Sequence, residues 1–88
     1  MPNASKPVRF SDHCLIQLVY RGATEGEIKE AVQESTWESA ELGRLECKKN
    51  FPYGQLWNGK HYKTKQVRPI FTEEKSEIVI VTVYVYYF

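Results

Sequence analysis

The chain has 88 residues and a formal net charge of +1, which leaves room for one domain and not for two. Hydrophobic residues make up 42% of it and aromatics 14%, so the composition excludes a disordered tail and supplies a core. Two cysteines, no leader-like start and no apolar run near the roughly 20 residues of a membrane helix exclude a disulfide framework and a helical membrane protein. The chain reads as cytoplasmic, with reduced thiols.

Residues 1–9, with Pro2, Asn3, Ser5 and Pro7, predict a flexible arm, and residues 10–88 a single domain. Ser11 after Phe10 is an N-cap with a hydrophobic staple, and it opens a helix to about Tyr20. Gly22 stands where such a helix takes its left-handed C-cap. Thr24 and Glu27 have capping-box spacing, and Ile28, Ala31 and Val32 give the second helix one buried stripe, ending at Ser35 and Thr36. Residues 37–43 are a connector.

The period then changes. Residues 44–51 alternate as a strand, interrupted by Pro52, Tyr53 and Gly54. Asn58-Gly59 between aromatic-bearing runs predicts a type I′ hairpin, which pairs Trp57 with Lys60 and Leu56 with His61. A strand follows over residues 60–71, then a polar turn at 73–76. Residues 78–87, almost all β-branched or aromatic, predict a central strand buried on both faces. On it Val79, Val81, Val83 and Val85 share one side, and Ile78, Ile80, Tyr84 and Tyr86 most of the other. Together these elements predict an α+β fold, two N-terminal helices packed on a three- to four-stranded antiparallel sheet.

Charge is uneven along the chain. Residues 23–41 hold six Glu against Lys29, while residues 44–68 hold two Arg and five Lys against Glu46. Such asymmetry marks either an anion-binding face or two solvated surfaces of opposite sign. His13, Gln17 and Arg21 share one helical face, which is either a wet face or a row aimed across the sheet at an anion. Alternation from the hairpin puts His61, Lys63, Lys65, Val67 and Phe71 on one face of the next strand. With a four-residue loop at 73–76, Lys65 faces Tyr84 and Val67 faces Thr82; a one-residue bulge near Pro69 breaks that geometry. His13, Cys14, Cys47 and His61 offer metal-ligating atoms, but neighbours on a helix point roughly 100° apart and no C-x₂-C pair exists, so no metal site and no cofactor are predicted.

The order Ser11-Asp12-His13, Arg21-Gly22-Ala23-Thr24, Gly59-Lys60-His61-Tyr62, Lys65-Gln66-Val67-Arg68 and Val81-Thr82-Val83-Tyr84 resembles a small bacterial family of domains of unknown function. Its members read Ser-x-His-Ala, with Arg four and eight residues after the His. That family is similar in architecture to the BrnT and RelE-like toxin ribonucleases. The resemblance implies a RelE/barnase-like arrangement of helices followed by an antiparallel sheet, and metal-independent RNA cleavage on its concave face. It implies roles for His13, Arg21, Thr82 and Tyr84; Gln17 departs from it, where an Arg is usual.

Two functions follow. The first is a non-catalytic RNA- or protein-binding relative of the toxins, because Gln17 breaks the cationic row and the net charge is near zero. The alternative is a toxin-type endoribonuclease with His13 as acid/base, Arg21 and Lys65 as phosphate clamps and Tyr84 as proton donor. Gln17, His61, Lys63, Arg68 and Thr82 are its expected RNA or anion contacts. The expected partners are RNA, an antitoxin-like protein, or a second copy through a sheet edge, and no membrane.

Overall fold

Ser11 begins the first helix because its hydroxyl accepts the Cys14 amide at 3.0 Å from an extended backbone. In the computed structural model, which describes residues 6–88, this cap opens α1, Asp12–Arg21. Gly22 closes α1 at φ +76°, donating its amide to the Leu18 carbonyl. No other residue suits that position: a Cβ there meets Trp57 and the Tyr87 hydroxyl at 2.6 Å. The capping box forms as spaced, with the Glu27 amide donating to the Thr24 hydroxyl at 3.1 Å and the Thr24 amide to the Glu27 carboxylate at 3.0 Å. It opens α2, Glu25–Glu34, which Ser35 terminates.

The strands are β1 (Val8–Phe10), β2 (Glu38–Ser39), β3 (Leu45–Glu46), β4 (Lys49–Trp57), β5 (Lys60–Glu73) and β6 (Ile78–Tyr87). They form one six-stranded sheet in the order β1-β6-β5-β3-β2, with β4 also paired to β5. β1 lies parallel to β6, and the other pairs are antiparallel. The fold is α+β, but the expected three- to four-stranded antiparallel sheet is corrected to a larger, mixed one. One short strand, β2, was hidden in the expected connector, and the strand expected over residues 44–51 is split into β3 and the start of β4, which runs on through Pro52 and Gly54. Another, β1, lay in the expected arm, where Val8 and Phe10 pack against the core while Lys6 and Arg9 pair with Glu73 and Glu77 at 2.8 and 3.1 Å. The arm's first five residues lie outside the described ones. Among the described residues no helix is long and apolar enough to cross a membrane.

Both helices cover the same sheet face. Cys14 and Leu18 of α1 and Ile28, Ala31 and Val32 of α2 form one core cluster with Val67, Phe71, Ile78, Ile80 and Val83. Trp37 meets Phe71 edge-on at 5.0 Å and donates its indole N–H to the Val32 carbonyl. Burial pushes the Cys14 thiol up to about 11 and the Cys47 thiol to about 12, so both stay neutral core groups.

The hairpin turns at Asn58 (φ 50°) and Gly59 (φ 84°) and pairs Trp57 with Lys60 and Leu56 with His61, as expected. Further along, β4 shifts register between Pro52 and Gln55, next to Gly54 at φ 61°. The shift brings Tyr62, rather than His61 or Lys63, round to the cluster where Trp57 stacks on Tyr87 at 4.7 Å. His61 and Lys63 are left exposed on the arm of the hairpin, so the expected cationic face does not form.

A second shift decides the functional face. Phe71 pairs with Ile80 but Ile70 pairs with Thr82, so Val81 is an extra residue in β6. Pro69 has no N–H and sits opposite Val83, whose carbonyl turns away from β5 to accept from Arg21 at 2.7 Å. Beyond the bulge, parity is reversed. Ile78, Ile80, Val83 and Tyr87 face the helices, and Thr82, Tyr84, Tyr86 and Phe88 face away. The four valines therefore do not share a side, Val81 is only half-buried, and β6 is not buried on both faces.

Candidate functional site

One residue of the polar row of α1 works on the strand edge. β1 covers β6 only through Ile80, which leaves the next outward carbonyls unpaired. Ser11 donates its hydroxyl to the Val81 carbonyl at 2.8 Å, and Arg21 caps Val83. The Gln17 amide oxygen is buried with no partner among the described residues. His13 is exposed on the same helix. Of this row, only Arg21 is tied to the edge of β6.

Lys65 is also accounted for by structure. It pairs with Tyr87 rather than Tyr84, because the turn sets Glu73 opposite Ile78, two residues beyond the expected register, and the Val81 bulge adds one more, and so it points beneath the helices. Only 6% exposed, its ammonium bridges the Glu27 carboxylate and the Gly22 carbonyl, each at 2.8 Å. Val67 likewise faces Val85, not Thr82. The Tyr87 hydroxyl donates to the Arg21 carbonyl at 2.7 Å, and burial pushes its pKa up to about 12.

The face bare of helices is built differently. Tyr84 and Tyr86 of β6 and Phe88 just beyond its end stand at alternate positions, 39%, 43% and 57% exposed. Alternation keeps all three on this side, and the Val81 bulge is what turned them out of the core. Two guanidiniums flank Tyr84: Arg21 lies 5.1 Å from its ring centre and Arg68 lies 5.6 Å from it. Arg68 is held in place by a two-point contact to Glu46, at 2.8 and 3.2 Å, and donates to the Tyr86 hydroxyl at 3.3 Å. The same contact holds the Glu46 carboxyl below the usual range and raises Arg68, so both stay charged. Gln66, bonded to Asn50 at 2.9 Å, continues the polar flank.

At the Tyr84 end the face deepens into a cleft of about 320 Å³, floored by Ile70 and Thr82 and walled by Arg68, Glu46 and the loop of residues 40–44. That loop is closed by the Ala40 amide donating to the Arg44 carbonyl at 2.8 Å. At its tip Leu42 is held at φ 60° and is 84% exposed, a conformation that bulky side chains rarely adopt. Of the residues singled out from sequence, Arg68, Thr82 and Tyr84 meet here and Arg21 reaches them from the edge. His13, Gln17, His61, Lys63 and Lys65 do not join them. Missed were Glu46, Arg44, Tyr86 and Phe88; the spacing of the three aromatics was a legible signal once the bulge parity is known.

Comparison of the chain with models of known families, with curated proteins and with solved structures finds no significant match in any of the three.

Proposed function

We propose that the chain is a non-catalytic binding module for single-stranded RNA, a relative of the toxin ribonucleases that holds RNA without cleaving it. The observation that carries this reading is the exposed row of Tyr84, Tyr86 and Phe88 on an open sheet face. Unstacked bases bind aromatic side chains on such faces, and flanking guanidiniums add cation–π and phosphate contacts. Cleavage draws less support. Of the four residues assigned to it, Lys65 is sealed under α2 and tied to Glu27, and His13 is exposed with no side-chain partner among the described residues to orient it.

Anisotropy of a labelled RNA nonamer tests this. The parent should bind, and Tyr84→Ala with Tyr86→Ala should weaken binding at least about tenfold, the scale of one or two lost stacking contacts. Circular dichroism should not change, because both rings face solvent. The RNA should stay intact in EDTA; cleavage that His13→Ala abolishes would move the assignment to the nuclease alternative. Absence of binding overturns the reading. It would direct attention to a protein partner on the exposed stripe of α1, where Leu15, Ile16, Val19 and Tyr20 are 40–79% exposed.

A further inference from the structure

We infer that the cleft at the end of the aromatic row receives a terminal phosphate of the strand, so that the module recognises an RNA end. This rests on the RNA reading above and adds to it the part of the strand that is bound.

The geometry of the open face sets direction and limit. A strand stacked along Phe88, Tyr86 and Tyr84 reaches the cleft through Tyr84, which lines it together with the loop of residues 40–44. Its volume, about 320 Å³, lies at the small end of ligand cavities, roughly 300–1,000 Å³, and suits one nucleotide rather than a continuing chain. An internal nucleotide needs an exit for the backbone on both sides, and an end needs only one.

Charge then selects the kind of end. Three arginines surround this region, and among the described residues only Arg68 has a carboxylate partner. Its pair with Glu46 is closed, so neither contributes a free charge. Arg21 holds a backbone carbonyl beside Tyr84 and has no carboxylate partner among the described residues. Arg44 lines the cleft half-buried, with no ion pair among the described residues. Glu41 lies at the mouth but is exposed, where water and salt screen it. A phosphomonoester carries nearly two charges against the single charge of an internal phosphodiester, and it presents three acceptor oxygens to a guanidinium fork. The Thr82 hydroxyl on the floor supplies a further donor.

The test uses one nonamer sequence in four forms: 5′-phosphate, 3′-phosphate, hydroxyl at both ends, and circularised. A free nucleoside monophosphate is the fifth probe. One of the two phosphorylated ends should bind at least about tenfold tighter than the hydroxyl form and the circle, and Arg44→Gln should remove that difference. Equal binding of all four RNA forms overturns the end inference and leaves the RNA reading standing. Binding of none of them overturns both. A monophosphate that binds as tightly as the best RNA end would also overturn it, in favour of a free nucleotide as ligand.

Discussion

Lys65 shows how a single side chain can look like a site and act as a strut. Its stem lies in the core and its ammonium ends at Glu27, which also closes the capping box of α2. One carboxylate thus holds a helix start and a buried cation together. Removing it should cost more than removing the cation. Glu27→Ala strands a buried charge and uncaps α2, and should lower unfolding stability by about 3 kcal/mol in urea titration. Lys65→Met replaces the charge by apolar volume, and should cost about 1 kcal/mol, leaving the Gly22 carbonyl without its donor. If Lys65→Met proves the more damaging, the lysine is more than a strut. Gln17 is the opposite case: its buried amide oxygen has no protein partner among the described residues.

At the scale of elements, the extra residue in β6 matters most. Val83 is fully buried under the helices, whereas Val81 is half-buried at the bulge. Val83→Asp should therefore prevent cooperative folding, since an unpaired charge in the core costs several kcal/mol. Val81→Asp should remain folded, with a melting temperature only a few degrees below the parent. Thermal denaturation of the pair checks this, and equal damage would place Val81 in the core. Local signals were legible: Ser11, Gly22, the Thr24–Glu27 box and the Asn58-Gly59 turn depend on residues within four positions of each other, and each formed as spaced. Face assignments failed because they depend on parity over a whole strand. The Val81 bulge sends Tyr84 outward and the shift at Gly54 brings Tyr62 inward. Pro69 hinted at the first, but its effect is fixed only through contacts with Arg21 and Ser11, more than sixty residues away from their β6 partners. β1 was illegible for the same reason: three residues earn a strand only by pairing with Ile78, Val79 and Ile80. The candidate site was half legible, since Arg68, Thr82 and Tyr84 were named while Glu46, Arg44 and the rest of the aromatic row were not.

For the whole molecule, β1 is the clasp that completes the sheet. It covers the edge of β6 where that strand is most apolar, and two ion pairs bind it to the 73–77 turn. Deleting residues 1–10 should lower the melting temperature by about 10 °C, the shift expected for roughly 2 kcal/mol in a domain of this size. The uncovered edge should also promote association, seen as a sedimentation coefficient that rises with concentration. A truncated chain that melts within about 2 °C of the parent and stays monomeric would make β1 an ornament. The clasp also sets a timetable. Val8 is synthesised 70 residues before its partner Ile78. While the chain is still on the ribosome, the helices and the β4–β5 hairpin can form, but β1 has nothing to join. Chains released early, before residue 78, would expose Val67, Phe71 and a bare strand edge together, and should be cleared by proteases or chaperones before they accumulate.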